Sequence, residues 1–364
     1  MNSATVAPVD TAVARRAIDA KTKPLGSLGR LEDAAVRLAV LQGTLTPSVD
    51  RARVCVFGAD HGVALEGVSA YPRAVTAEMM RNFDRGGAAI NVIAAVNAVS
   101  LEVIDVGVDA DLTMHTRIRH EKVRHGSRNC LDEAAMTDDE FDAALDVGRA
   151  AARRAAADGV RALGLGEMGI GNTTVASMLL SALTGHPGAA TVGRGTGVSD
   201  GVLARKRQVV DRATSLYPLD AAADARQVLR CIGGLELAAI AGAALEAAHH
   251  RIAVVADGFI STVAVLCALH IAGADEQLPQ ALFFAHRSAE GGHGIALDAC
   301  AAISGCDARP LLQLDMRLGE GSGAALAMPI LRTAAAVMRD MATFESAGVS
   351  AGDHAAAHHA DVGG

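Results

Sequence analysis

Ala162-Leu163-Gly164-Leu165-Gly166-Glu167-Met168-Gly169-Ile170-Gly171-Asn172-Thr173-Thr174 decides the fold. Residues 162–166 form a short apolar run, a glycine-rich turn follows, and a helical pattern resumes over 175–183, so the segment reads as strand, turn, helix. Gly164, Gly166 and Gly169 match G-x-G-x-x-G in the context that dinucleotide binding requires. A dinucleotide unit also needs an acidic residue about twenty positions on, to take the ribose hydroxyls. None occurs between Glu167 and Asp200. What remains is a turn of free N–H groups at a helix N-terminus, suited to a monophosphate. A plain helix capped by Asn172 or Thr173 would give the same local pattern.

The same grammar recurs along the chain, with candidate strands at 53–57, 101–106, 162–166, 252–256, 281–285 and 311–314. About six strands separated mostly by helices predict an α/β fold, a mainly parallel six-stranded sheet, doubly wound with helices on both faces and right-handed crossovers. The last candidate lies in Leu311-Leu312-Gln313-Leu314-Asp315-Met316-Arg317-Leu318-Gly319-Glu320-Gly321-Ser322-Gly323, just before the apolar run 324–338. Glu320 would then stand at the carboxyl end of a strand, the edge where open α/β sheets bind ligands. A solvated Glu in an ordinary glycine-rich turn is the competing reading. At the start of the chain, helices over 11–20 and 31–42 are separated by a loop in which Pro24, Gly26 and Gly29 forbid continuity. Lys23 and Arg30 could reach an anion from that loop or stand as exposed cations. The expected organisation is a small helical subdomain from 1–50 and 323–345, a large α/β catalytic domain over 51–322, and a disordered tail over 346–364.

Composition narrows the function. The chain has 364 residues, of which 51% are hydrophobic and only 2% aromatic, so its core is built of small aliphatic side chains at close helix-to-sheet distances. A net charge of -8 without a basic cluster argues against nucleic acid as a partner. The six cysteines form no C-x-x-C pair and mostly sit in apolar runs, which points to a reducing cytoplasm. No apolar run reaches membrane-spanning length, the first ten residues lack a signal core, and the thirteen histidines include no H-E-x-x-H. His358 and His359 read as part of the solvated tail rather than a metal site.

Polar and glycine residues gather where strands end. A long loop, residues 58–72, contains Asp60, His61, Tyr71 and Pro72; Tyr71 before a proline is extended, which suits a flat wall of a pocket, and Asp60 suits bracing of the loop. Gly193-Arg194-Gly195-Thr196-Gly197 precedes a helix over 201–213 that carries Lys206. Two glycine-rich turns and one cation together can surround a phosphate. Asp257-Gly258-Phe259 and residues 285–294 close strands at the same edge.

Lys23-Pro24-Leu25-Gly26-Ser27-Leu28-Gly29-Arg30-Leu31-Glu32, Ala59-Asp60-His61-Gly62-Val63, Gly166-Glu167-Met168-Gly169-Ile170-Gly171-Asn172-Thr173-Thr174, Gly193-Arg194-Gly195-Thr196-Gly197, Asp257-Gly258-Phe259, Ser288-Ala289-Glu290-Gly291-Gly292-His293 and Arg317-Leu318-Gly319-Glu320-Gly321-Ser322-Gly323 appear in this order. Together they resemble the nicotinate-nucleotide:dimethylbenzimidazole phosphoribosyltransferase family of cobalamin lower-ligand synthesis, over about residues 10 to 350. The resemblance implies a Rossmann-like sheet with a helical subdomain from both termini, a cytoplasmic homodimer, and no metal or cofactor. It implies Glu320 as the catalytic carboxylate. The nucleotide and its phosphate are expected at Glu167, Gly169, Ile170, Gly171, Asn172, Gly195, Thr196, Gly197, Lys206, Asp257, Gly258 and Ser288. The base is expected against Tyr71, Pro72, Met79 and Leu318.

The implied reaction attacks C1′ of nicotinate mononucleotide with a benzimidazole nitrogen. The pyridinium ring is already a good leaving group, so positioning and one general base suffice. Two other readings compete: a nucleotide-dependent dehydrogenase, weakened by the missing acidic residue, and a non-catalytic nucleotide sensor, which has no use for Glu320.

Overall fold

The computed structural model describes residues 9–195, 197, 199–217, 224–275 and 277–350. In chain order the elements begin with α1 (Thr11–Asp19), α2 (Arg30–Gln42), β1 (Ala52–Ala59), α3 (Ala74–Arg85), α4 (Ala89–Val96), β2 (Ser100–Gly107) and β3 (Ile118–His120). Next come α5 (Asp138–Ala157), β4 (Ala162–Met168), α6 (Asn172–Thr184), α7 (Gly188–Thr191), α8 (Asp200–Leu216), α9 (Ala225–Ile232) and α10 (Leu235–His249). The chain closes with β5 (Ala253–Ala256), α11 (Phe259–Ala272), α12 (Gln277–Ala281), β6 (Leu282–Phe284), α13 (His293–Ser304), α14 (Ser322–Asp340) and α15 (Phe344–Ala347). Two compact units result: the described residues within Met1–Asp50 and Pro329–Gly364, and Arg51–Met328.

In the first unit, Asp10 caps α1 by accepting the N–H of Val13 at 2.7 Å. The loop before α2 is held from inside. Lys23 is buried 2.9 Å from Glu32, and Leu28 N donates to the same carboxylate, so Lys23 is not presented to a ligand from this loop. A charge taken out of water needs a partner, and the first turn of α2 supplies it in Glu32. Lys21 bridges Thr343 in antiparallel fashion and donates to Met341 O at 2.7 Å, which ties the N-terminal loop to the segment ahead of α15. The helix α15 falls partly within the stretch read from sequence as a tail, whose residues 351–364, with His358 and His359, lie outside the described residues.

The second unit contains one six-stranded sheet in the order β3-β2-β1-β4-β5-β6, with every pair parallel. Strands β1, β4, β5 and β6 are buried almost throughout, as expected for a parallel sheet covered by helices on both faces. Two strand assignments need correction. Residues 311–314 do not form a strand: Leu312 makes one isolated parallel bridge to His286, and Leu314 is exposed. The alternation there is not matched by burial, and Asp315 turns the chain with φ 53°. The sixth strand is instead β3, three residues at the sheet edge of which only Ile118 is buried. So short and polar an edge carries no alternating signal.

The low aromatic content has a structural counterpart where α5 and α10 pack. A Cβ added at Gly148 of α5 would lie 1.7 Å from Ala239 O, and one at Gly242 of α10 would lie 2.1 Å from Leu145 O. The two helices touch backbone to backbone at these glycines, where no side chain would fit. Likewise the first turns of α14 lie on the sheet: a Cβ at Gly164 would meet Ala324 Cβ at 2.9 Å and Met328 Cε at 3.3 Å. The division between the units falls after these turns, inside α14 at Pro329. Gly242→Val should force α10 away from α5 and cost about 1–3 kcal/mol or more, read as a lower denaturation midpoint. An unchanged midpoint would show that the two helices can separate without loss.

Candidate active site

The strand order reverses between β1 and β4, which opens a crevice at their carboxyl ends. The cleft there is lined by the turns that follow β4, β5 and β6 and by the segment Arg317, Leu318 and Gly319. Of the residues singled out in the sequence, Glu167, Gly169, Ile170, Gly171, Asn172, Gly195, Asp257, Gly258, Ser288 and Leu318 line it together. Lys206, Gly197 and Glu320 are not part of its lining, and neither are Tyr71, Pro72 and Met79. Thr196 lies outside the described residues.

The turn after β4 is more tightly engaged than its sequence suggests. Gly171, with φ 100°, is the N-cap of α6, in place of Asn172 or Thr173. Asn172 is spent otherwise: buried, it donates its side-chain N–H to Glu167. Ile170 N donates to Thr76 Oγ1 at 3.1 Å. Gly169 sits over Ala59 O and the ring of His61, where a Cβ would come within 2.4 and 3.0 Å. Beneath this turn His61 Nε2 donates to Glu236 Oε1 at 2.7 Å, both side chains fully buried.

Lys206 lies behind the glycine clusters, 1% exposed, and donates to Thr173 Oγ1 at 3.1 Å and Gly193 O at 3.4 Å. It thus fastens the start of α6 to the second glycine cluster. Burial lowers its pKa, with Glu290 opposing that shift. After β6, Ser288 N donates to His293 Nδ1 at 2.8 Å, so Nε2 of that ring carries the proton and donates to Thr262 Oγ1 at 3.1 Å. Burial pushes His293 down to about 3, so the ring is neutral and acts as a brace for Ser288. Asp60 also braces, accepting the N–H of Asp109 at 2.8 Å.

Ser69, which opens the loop expected at the base, and His286, Glu290 and Arg317, which fall inside the quoted stretches, receive no individual site role from sequence, yet all line the cleft. Each lies within a few residues of a position that was singled out, and the signal that could have found them is placement at a strand end. Glu290 is buried, and its Oε2 has no hydrogen-bond partner.

Glu320 occupies the strained point of the site. Gly319, Glu320 and Gly321 have φ of 84°, 64° and 80°, three successive residues in the left-handed region, of which only the glycines adopt it freely. Its carboxylate is buried and accepts the N–H of Ile90, in the first turn of α4, at 3.3 Å. Backbone strain of this kind in a non-glycine residue persists where the surroundings over-determine it.

Three carboxyls here are hard to ionise. Glu167 is pushed up to about 8 by burial first, then by Asp257 and Glu236, while the Asn172 hydrogen bond works the other way. Asp257 is pushed up to about 7 by burial, against the N–H groups of Ala324, Gly323 and Gly321. Glu320 is raised by burial, opposed by Ile90 N–H and reinforced by Asp257. A carboxyl with a raised pKa in the folded state stabilises the fold below its unfolded pKa, near 4.5 for Glu167, and that contribution is lost as pH climbs through about 8. Removing the charge by Glu167→Gln should therefore raise the melting temperature relative to wild type progressively between about pH 5 and pH 8.5. A difference that stays flat across that window would place Glu167 in an ordinary carboxylate environment.

Comparison with known proteins identifies the family. A family model described as phosphoribosyltransferase matches residues 6–349. A nicotinate-nucleotide--dimethylbenzimidazole phosphoribosyltransferase from Cupriavidus necator is 47% identical over 353 residues, 95% of this chain and 97% of that protein. The protein of the same description from Chromobacterium violaceum is 49% identical over 341 residues, 94% of this chain and 95% of its own. The crystal structure of CobT from Thermus thermophilus superposes with a TM-score of 0.88 at 48% identity, covering 94% of this chain and 99% of that one. With family model, fold and nearly the whole length in agreement, the chain belongs to the nicotinate-nucleotide:dimethylbenzimidazole phosphoribosyltransferase family.

Proposed function

We propose that this protein moves the 5-phosphoribosyl group of nicotinate mononucleotide onto 5,6-dimethylbenzimidazole or a related base, for the lower ligand of cobalamin. An azole nitrogen bonds to C1′, the C1′–pyridinium bond breaks with its electron pair going to nicotinate, and the azole's other nitrogen loses its proton. The product is α-ribazole 5′-phosphate. The observation that carries this reading is Glu320: a buried carboxylate of raised proton affinity, held in a left-handed turn next to Gly319 and Leu318 of the cleft. A base whose pKa is lifted toward the working pH takes the azole proton most effectively.

The nucleotide is assigned to the turns after β4, β5 and β6, with its phosphate between Gly169–Gly171 and Gly195–Gly197. Lys206 supports that assignment from behind, where it fastens Thr173 to Gly193. The base is assigned to Leu318 and the segment 69–80, a loop that runs into the first turns of α3, with Tyr71 and Pro72 of the loop and Met79 of the helix as its outer wall. Flat apolar walls read a ring by area, so discrimination among related bases is loose. The homodimer belongs to the same proposal, and the apolar surface of α4, where Val92 and Val96 are 59% and 81% exposed one turn apart, is a face that a second copy would cover. A cytoplasmic setting suits the buried free thiols.

Two substitutions test the roles. Lys206→Ala should weaken nicotinate mononucleotide binding roughly ten- to a hundredfold while leaving base affinity nearly unchanged, as read by calorimetry; an unaltered dissociation constant would remove Lys206 from the phosphate site. Glu320→Gln keeps shape but cannot take a proton, so nicotinate release should slow by roughly 10² to 10⁴ with both substrates still bound. The loss should shrink for azoles already deprotonated at the assay pH. Equal loss for azoles of low and high pKa would rule out proton removal as the role of Glu320.

A further inference from the structure

Asp257 ends strand β5 inside the cleft, 2% exposed, and its partners come from an unexpected direction. Its Oδ1 accepts the N–H of Ala324 at 2.8 Å, and the N–H groups of Gly321 and Gly323 point at the same carboxylate. All three donors follow directly on Glu320. They are also the opening N–H groups of α14, which have no partner within the helix and present its positive end to an anion. The approach is close: a Cβ at Gly323 would stand 2.9 Å from Asp257 Oδ1 and 2.1 Å from His286 Cδ2. An ionised carboxylate offers about four lone-pair positions, so three backbone bonds leave little capacity for ribose hydroxyls.

We infer that Asp257 is a positioning residue for the transfer, whose carboxylate holds Glu320 in its left-handed turn through the backbone that follows it and supplies the negative charge that Glu320 faces. The inference rests on the reading of Glu320 as general base, and it replaces nucleotide contact as the main task of Asp257. A turn of three left-handed residues does not persist unaided, and the bonds to Asp257 secure its exit as Ile90 N–H secures the carboxylate itself. The titratable groups facing the pair are Glu167 on β4, which Glu236 at the start of α10 influences in turn, and His286 beyond β6. Asp257 and Glu320 both bear on Glu167, whereas Glu320 takes its electrostatic influence from Asp257. Without that neighbouring charge, Glu320 gives up its proton at lower pH.

The test compares Asp257→Asn, Glu320→Gln and the double variant, each with kcat, both KM values and the pH dependence of kcat. For Asp257→Asn, kcat should fall roughly ten- to a hundredfold with KM for nicotinate mononucleotide held within about threefold. The acid limb of the kcat profile should move to lower pH. On the Glu320→Gln background, Asp257→Asn should cost almost nothing further, because the side chain it positions is already inert. A raised nucleotide KM with an unmoved acid limb, or losses that multiply in the double variant, would overturn the inference and return Asp257 to nucleotide binding. Full turnover in Glu320→Gln alone would instead sink the general-base reading, a distinct outcome. Should Asp257→Asn fail to fold, Asp257→Glu decides: it keeps the charge but displaces it, so kcat should fall with KM and acid limb unmoved, and wild-type turnover would count against the inference.

Discussion

Between the turn Gly319–Glu320–Gly321 and strand β4 there is no room for a side chain. A Cβ at Gly166 would lie 2.6 Å from Gly321 N, one at Gly319 would lie 2.2 Å from Glu167 Oε1, and one at Gly321 would lie 2.5 Å from Val54 Cγ1. Backbone therefore rests on backbone where Gly166 of β4 meets Gly321, with the Glu167 and Val54 side chains closed against Gly319 and Gly321, at the strand where the order reverses. This contact explains the glycines of two distant motifs at once. Gly166 is the floor on which the Glu320 turn lies, Gly164 takes the first turns of α14 and Gly169 sits on Ala59 O and His61, so the three match a dinucleotide pattern for reasons of close packing, while its ribose-binding acid is missing.

The same closeness concentrates negative charge. Glu167, Glu236, Asp257, Glu290 and Glu320 are all buried in this region, and the buried lysine of this unit, among the described residues, is Lys206. An anionic nucleotide entering such a place would meet repulsion if every carboxyl were ionised. Glu167, held at about 8, is largely protonated at neutral pH, which reduces that repulsion. In the proposed reaction the ribose acquires positive character as the pyridinium departs, and the carboxylates that do ionise then face a developing cation.

Much of this was legible in the sequence, for physical reasons that also explain what was not. Strands β1, β2, β4 and β5 announce themselves because central parallel strands are buried on both faces and must be apolar, and β6, although at the opposite edge, is buried at all three of its residues and reads the same way. Edge strand β3 is exposed at two of its three residues and has no such obligation, so Ile118-Arg119-His120 reads as loop. Residues 311–314 mislead in the opposite sense, since an exposed extended segment imitates a strand when its leucines happen to alternate. The carboxylate between glycines was visible, but not that its backbone is left-handed, because φ follows from the contacts of Gly166 and Asp257 rather than from local composition. Long-range partners are equally silent in sequence: nothing near Lys23 says that Glu32 takes its charge, and nothing near Asn172 says that Glu167 takes its amide in place of the helix N-terminus.

Core and site are joined by one helix. Because α5 and α10 meet backbone to backbone at Gly148 and Gly242, α10 cannot slide along its axis without a clash. Its start is fixed just as closely: a Cβ at Gly234 would lie 2.3 Å from His61 Cε1, and one at Gly107 would lie 2.3 Å from Leu235 Cδ1. That register sets Glu236 against His61, and the ring of His61 in turn lies under Gly169 of the turn after β4. A side chain larger than hydrogen at Gly148 or Gly242 would have to separate these helices and would carry Glu236 with α10. The scarcity of aromatic residues, which in the sequence alone says only that the core is made of small side chains, is thus part of what places the turn after β4.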